Sequence, residues 1–214
     1  MKHLFFLAFL IVSFIGFSQQ KIIKKLDLKI EEVSILSFGL DNIIIINSDS
    51  NQIEIELLDE NSNDHQIVST SFGASFKLSF KLQPIEEKKE IFRKFITKRL
   101  NRVHAIIKIP KHKSITIFGK HIDINSKSYH GNLKIYIDKG KVALNEVKKK
   151  VEVRLFDGNV FAKVMNVNID VTSNNGTILI NEKKAIKNYI KKVSKSTKEL
   201  VIKSINANIK LTTL

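Results

Sequence analysis

The chain has 214 residues, with 36 Lys and Arg against 21 Asp and Glu, so its formal net charge is +15. The length fits one ordinary domain or two small ones, and a hydrophobic content of 43% is too high for a disordered basic tail. Since cysteine is absent, disulfides, structural zinc thiolates and a cysteine nucleophile are excluded.

Positions 1–18 have the layout of a secretory signal peptide. Lys2 precedes an apolar stretch from Leu4 to Phe17, and Gly16 and Ser18 are small residues at the −3 and −1 positions of a cleavage site. We therefore expect cleavage after Ser18 and a mature protein in the periplasm or at the cell surface of a Gram-negative bacterium. The alternative is a retained membrane anchor, for which an apolar stretch of about 14 residues is short.

Residues 19–82 are predicted to form an N-terminal block of β-strands. Apolar and polar residues alternate at positions 26–30, 53–57 and 76–80, which is the strand period. The unbroken β-branched run Ile43–Ile46 indicates a strand that is buried on both faces. Spacers rich in Asn, Ser and Asp at 47–51 and 59–64 predict turns.

Residues 83–103 are predicted to form a basic connector, helical or irregular, that follows the strand block. From Phe92 to Val103 apolar residues recur at helical spacing, with acidic residues early and basic residues late, as the helix dipole favours. A basic amphipathic segment in an exported protein can bind lipid phosphates, lipopolysaccharide or acidic polysaccharide, and a solvated face is the alternative. The candidate anion-binding residues are Arg93, Lys94, Lys98, Arg99 and Arg102.

Residues 104–214 are predicted to repeat with a period of roughly 18 residues. Gly140, Gly158 and Gly176 are evenly spaced at this period, and aliphatic residues share columns at the same spacing. We interpret each period as a rung of two strands and two turns, in which aligned glycines turn at positive φ and aligned aliphatics stack into a core. Val151 and Ile169 then lie on adjacent rungs. A plain antiparallel meander is the alternative.

The last part of the repeat region is interrupted. The register is lost at Lys187, and residues 181–199 are predicted to be a basic insertion that forms a short helix or a loop. Strands resume at Leu200, and the final strand is expected to cap or close the coil.

Three features resemble the putative adhesin family of bacterial envelope proteins, over about residues 103–214. These are the strand-Pro-strand opening at 106–117 (IIKIPKHKSITI), the repeated Gly-x-Val/Ile units and the closing segment Ser204–Ile209. The resemblance implies a right-handed coil of β-strands in a secreted or envelope protein, with no catalytic residues. The predicted fold class is therefore all-β, a right-handed β-solenoid or β-coil of roughly 18-residue rungs with an N-terminal β block and a short basic connector.

No constellation of residues predicts catalysis or a cofactor. The acidic residues of the repeat region are scattered, whereas an enzyme on a β-helix needs clustered carboxylates. His104, His112, His121 and His130 recur near half of the period and could offer imidazoles to a metal. The lysines beside them would repel a cation, so we expect no metal site.

The sequence predicts an exported, non-enzymatic envelope protein that acts as an adhesin-like scaffold or surface-contact module. Its expected partners are anionic polysaccharide, lipopolysaccharide or lipid head groups, and the export signal argues against nucleic acid. Further lysines at 148–150 and 183–203 are expected to be solvated and to protect strand edges. The alternatives are a β-helix carbohydrate-active enzyme and an envelope accessory protein that binds another protein through an apolar patch.

Overall fold

The computed structural model describes residues 20–59, 65–82 and 103–214. Within these ranges every regular element is a β-strand, so the predicted all-β class is confirmed, and none of the described residues forms a helix that could cross a membrane. The strands are β1 (Gln20–Asp27), β2 (Glu32–Leu36), β3 (Asn42–Ser48), β4 (Gln52–Asp59), β5 (Gln66–Phe72), β6 (Ser75–Lys81), β7 (His104–Pro110), β8 (Ser114–His121), β9 (Asp123–Ser126), β10 (Asn132–Leu144), β11 (Lys150–Val164), β12 (Asn168–Ser173), β13 (Ile178–Ile180), β14 (Lys183–Lys184), β15 (Asn188–Lys191), β16 (Glu199–Ser204) and β17 (Asn208–Thr213).

The strands form one sheet that divides into two ladders. Ladder A has the order β5-β6-β2-β8-β10-β11-β16-β12-β15. Ladder B has the order β1-β4-β7-β3-β9-β10-β11-β17-β13-β14. The long strands β10 and β11 belong to both ladders, their first halves to ladder A and their second halves to ladder B. A strand of ladder A and the strand of ladder B that follows it make one rung.

The predicted 18-residue period is confirmed for three consecutive rungs. β8, β10 and β11 pair in parallel, so that Ile115 faces Leu133 and Leu133 faces Val151. In ladder B the same offset places Ile124 opposite Val142. A parallel register at this offset means that the chain passes through both ladders before it returns to the same column, which an antiparallel meander does not do.

The prediction that Val151 and Ile169 lie on adjacent rungs is wrong. Leu200 of β16 lies between them and pairs with both. β17 separates β11 from β13 in the same way. The C-terminal rung is therefore inside the stack and does not cap or close it, because a rung with matching apolar faces can pair wherever its faces fit, regardless of distance in sequence.

The N-terminal block also contributes an interior rung. β2 lies between β6 and β8, with Val33 opposite both Phe76 and Ile115. β3 lies between β7 and β9. The N-terminal strands and the repeat region thus share one sheet and one hydrophobic core.

Columns of buried aliphatic residues run through both ladders, and their packing stabilises a fold that has no disulfides. The column of ladder A consists of fully buried residues: Leu78, Ile35, Ile117, Ile135, Val153, Ile202 and Val171. The column of ladder B contains Ile43, Ile124, Val142, Val160, Ile209 and Ile178. Burial of each such side chain contributes about 1.5–3 kcal/mol relative to exposure.

Two glycines allow the long strands to pass from ladder A to ladder B. Gly140 and Gly158 have φ angles of +147° and +136°, as the aligned glycines predict. Gly176 makes the same kind of close approach, to the carbonyl oxygen of Ala207 in the intervening rung, but its φ is outside the positive region, so the prediction of a positive φ is wrong there.

The β-branched run of β3 is buried on one face only. Ile43 and Ile45 are fully buried, whereas Ile44 and Ile46 are partly exposed on the outer face of ladder B. The prediction of two buried faces is therefore wrong, since the two ladders cover only the inner face of this strand.

The segment 181–199 is neither a helix nor an unstructured loop. It contains the short strands β14 and β15, which pair with β13 and β12 and are the last strands of their ladders. Lys183, Lys184 and Lys191 lie in these edge strands. This position agrees with the expectation that lysines protect strand edges from pairing with other chains.

Candidate functional site

The predicted anion-binding residues lie outside the described part of the chain. Arg93, Lys94, Lys98, Arg99 and Arg102 all belong to the connector, and the predicted signal peptide likewise precedes the described residues. Both therefore stay predictions, and the site must be sought among the other basic residues.

Two lysines that follow the connector in sequence are paired with acids. The Nζ atom of Lys111 lies 2.6 Å from Asp49, and that of Lys113 lies 2.7 Å from Glu31. The hydrogen bond from Lys111 lowers the pKa of Asp49. Their charge is thus neutralised within the protein.

An ion-pair network on the outer face of ladder B joins β1, β4 and β7. Lys108 Nζ lies 2.6 Å from Glu54 Oε1 and 3.0 Å from Glu56 Oε1. Lys25 and Lys21 add contacts of 2.9 Å to Glu54 and 2.8 Å to Glu56. Hydrogen bonds from Lys108 and then Lys25 lower the pKa of Glu54 to about 2, and the pKa of Glu56 is lowered chiefly by Lys21. The network binds strands together and is not arranged to receive a ligand.

The four histidines considered for a metal are not gathered at one place. His104 lies in β7 and His121 ends β8, whereas His112 and His130 lie in turns. In the part of the chain that the structure describes, no group of three or more His, Cys, Asp or Glu side chains is placed to hold a metal ion.

A row of aromatic and cationic side chains crosses the outer face of ladder A. Its members pair strand by strand, and we call them the outer row: Phe118, Tyr136, Arg154, Lys203 and Thr172. Neighbouring strands lie about 4.8 Å apart, so the row spans about 19 Å. Alternate positions of a strand face outward together, which brings residues distant in sequence into one line.

The first three members of the outer row contact one another. The rings of Phe118 and Tyr136 have centroids 5.5 Å apart, and the Arg154 guanidinium carbon lies 5.6 Å from the Tyr136 centroid. Arg154 Nε also donates a hydrogen bond of 2.7 Å to Glu152. Stacking and the hydrogen bond fix the guanidinium plane, while its two Nη groups have no partner among the described residues.

A solvent-exposed groove of about 660 Å³ follows this row across the middle of β10 and β11 and the ends of β16 and β12. The outward-facing residues that line it are Tyr136, Asp138, Arg154, Phe156, Thr172, Asn174, Lys203 and Ile205. Phe156 is 51% exposed and Ile205 is 43% exposed, although both are large apolar side chains. Lys203 makes no ion pair with any residue in the described ranges. The groove combines the unpaired ammonium group of Lys203, the two Nη groups of Arg154, apolar surfaces and polar groups.

A buried serine holds the backbone at the wall of the groove. Ser204 Oγ accepts a hydrogen bond of 2.9 Å from Ala207 N, and Asn206 N donates one of 2.8 Å to the carbonyl oxygen of Phe156. These bonds fix the turn after β16 against β11. They place Ile205 and Phe156 side by side at the surface.

A second groove on ladder A, of about 380 Å³, contains more acidic residues. Glu152 is bonded to Arg154, and Glu199 lies 3.8 Å from Lys150. The first groove, by contrast, has a single carboxylate in its lining, that of Asp138. The first groove therefore has no second carboxylate in its lining to form the pair that glycoside hydrolysis needs.

Most of the outer row can be recognised in the sequence, but an alignment that compares only the core positions of the repeats misses it. Phe118, Tyr136, Arg154 and Thr172 recur at the same interval as the core columns do. Lys203 had no such signal, because it enters the row through the intervening C-terminal rung.

Comparison with known proteins identifies the fold. No family model and no curated protein matches the sequence. Among solved structures, the chain is similar to a putative cell adhesion protein from Clostridium sporogenes, with 12% identity over 92% of this chain and 100% of that chain and a TM-score of 0.59. A putative adhesin from Bacteroides fragilis aligns at 12% identity over 92% of this chain and 98% of that chain, with a TM-score of 0.31.

Several of the structural neighbours are named putative adhesins or cell adhesion proteins of bacteria, as the sequence resemblance indicates, and one is named a putative lipid binding protein. The overlap with the Clostridium protein shows a shared all-β fold, and at 12% identity it shows the fold alone. The looser overlap with the Bacteroides protein supports no argument. What this chain binds must therefore be argued from its own residues.

Proposed function

We propose that this chain is an exported, non-enzymatic envelope protein, an adhesin-like contact module that binds anionic envelope polymers. In this proposal the signal peptide is removed after Ser18, and the mature protein works in the periplasm or at the cell surface of a Gram-negative bacterium. The paired ladders form a right-handed β-solenoid that displays its outer face. The name of the Clostridium neighbour, a putative cell adhesion protein, is consistent with such a role.

The observation that carries the proposal is the groove of ladder A. Arg154 and Lys203 are adjacent in the outer row. Lys203 is paired with no described acid, and Arg154, which is paired with Glu152 through Nε, keeps both Nη groups without a described partner. Lys108, Lys111 and Lys113 are each paired through Nζ. A cation that is held in place and unpaired is available to an anionic partner. The connector arginines and lysines at 93–102 would add to this attraction.

A second candidate function is binding of another protein. Phe156 and Ile205 are more exposed than large apolar residues usually are, and an exposed apolar patch is typical of protein interfaces. Such an interface would be insensitive to salt, so one experiment separates it from binding of a charged polymer.

The experiment measures binding of the mature protein, residues 19–214, to lipopolysaccharide and to phosphatidylglycerol vesicles. Salt is raised from about 10 mM to about 150 mM, which shortens the Debye length from about 30 Å to about 8 Å. We expect binding that weakens steeply with salt. Absence of binding to both at low salt would contradict the proposal.

A further inference from the structure

We propose that the groove of ladder A binds an acidic glycan, whose sugar units lie along the outer row from strand to strand. This inference rests on the proposed function and narrows it to one class of ligand, a polymer of sugars that bear carboxylates. Four kinds of observation support it: the cationic groups of Lys203 and Arg154 that have no described partner, the aromatic surfaces, the polar groups between them and the length of the row.

The cations fit carboxylates. Arg154 is fixed by Tyr136 on one side and by Glu152 at Nε, so its two Nη groups are held together as a fork. A planar fork of this kind binds a carboxylate through two parallel hydrogen bonds. Lys203 supplies a second positive charge from the next strand, whose backbone lies about 4.8 Å away.

The aromatic side chains fit sugar rings. Phe118 and Tyr136 pack against each other, so their orientation is set before a ligand binds. Phe118 belongs to the outer row but not to the lining of the groove, whereas Phe156 lines the groove and is half exposed. The C–H face of a pyranose ring can stack on the exposed ring of Phe156. Tyr136, whose ring already contacts Phe118 and Arg154, offers its hydroxyl.

The polar lining favours a glycan over a lipid. Asp138, Thr172 and Asn174 line the groove between and beside the apolar groups, and they can donate to or accept from sugar hydroxyls. An acyl chain would leave these polar groups without partners, which is unfavourable. A span of about 19 Å at one strand per about 4.8 Å gives several consecutive sugars a contact each.

The test uses the mature protein and a short polygalacturonate oligosaccharide as the probe. The same oligosaccharide with methyl-esterified carboxyls removes the charge but keeps the rings, and phosphatidylglycerol vesicles present an anionic lipid. The groove variants are Arg154→Gln/Lys203→Gln and Phe156→Ala. Their matched controls, in or next to the strands of ladder B, are Lys127→Gln/Lys163→Gln and Phe161→Ala, which change the same charge or the same partly exposed ring.

We expect polygalacturonate to bind and its methyl ester to bind more weakly. The Arg154→Gln/Lys203→Gln variant should weaken polygalacturonate binding by about tenfold or more, Phe156→Ala by about threefold, and both controls by less than about twofold. The inference is overturned if the control pair loses as much affinity as the groove pair, or if the protein binds the vesicles but not polygalacturonate. Either result leaves the proposed binding of anionic polymers standing, whereas failure to bind lipopolysaccharide, vesicles and polygalacturonate at low salt removes both.

Discussion

Gly158 stacks directly on Gly140, because a Cβ atom on Gly158 would lie 2.0 Å from the Gly140 carbonyl oxygen. Both glycines have positive φ, and both lie where a long strand passes from ladder A to ladder B. Their spacing by one full period is therefore a requirement of the stack and not a coincidence of composition.

Gly158→Ala should destabilise the protein far more than Gly73→Ala. Both residues have positive φ, which costs alanine about 1–2 kcal/mol, but only at Gly158 would the new methyl group also meet backbone atoms of the next rung. That overlap should add about 1–3 kcal/mol. Urea unfolding measures both losses, and equal losses would show that the rungs do not stack closely at this position.

Ile202→Ala should cost about 2–5 kcal/mol of unfolding free energy, as expected for a fully buried aliphatic residue. Ile190→Ala is the control, since Ile190 lies in edge strand β15 and is 58% exposed, and its loss should stay below about 0.5 kcal/mol. Chemical denaturation of the two variants compares them directly. A small loss at Ile202 would argue that the C-terminal rung is peripheral and not interior.

Stability should decrease in acid through the network at Lys108. The folded state lowers the pKa of Glu54 from 4.5 to about 2, so the carboxylate contributes stability above the unfolded value, and this contribution is lost as the pH falls toward about 2. In Lys108→Met the decrease between pH 4.5 and about 2 should become shallower, while Lys163→Met should keep the dependence of the unchanged protein. Urea midpoints across this range give the comparison, and identical curves for the two variants would refute the assignment.

Tyr129→Phe should cost about 1–3 kcal/mol, although Tyr129 is far from the groove. Its buried hydroxyl lies 2.9 Å from the Pro110 carbonyl oxygen and 3.1 Å from that of Lys113, and removal leaves these acceptors without a partner. Burial raises the pKa of Tyr129, so the neutral phenol favours folding and this contribution falls as the pH rises above 10. The variant should lose that alkaline dependence, whereas Tyr189→Phe should keep it. Unfolding at pH 8 and above pH 10 distinguishes the two.

The period of the stack could be predicted from sequence, but the order of its rungs could not. Gly140 and Gly158 repeat because β10 and β11 make the same bend, and the columns through Val142 repeat because successive rungs share the same inward positions. No feature of the sequence shows that Leu200 lies between Val151 and Ile169. Any rung with inward aliphatic residues at that register can pair with either neighbour.

The candidate site was likewise only partly predictable from the sequence. Phe118, Tyr136 and Arg154 follow the 18-residue spacing, so an alignment of outward positions would have brought them together. Lys203 joins them only through the interior position of β16. The sequence instead predicts an anion-binding site at 93–102, because basic residues are dense there along the chain. A row of residues from different strands forms only when the chain folds.

The most direct measurement of the central claim is a methyl and aromatic NMR titration of residues 19–214 with short polygalacturonate. Ile205 and Tyr136 report on the groove, and Ile190 and Tyr189 of β15 serve as reporters outside its lining. The account predicts saturable shifts at Ile205 and Tyr136 that disappear at high salt, with little change at the β15 reporters. Shifts confined to other surfaces, or no shifts at low salt, would contradict it.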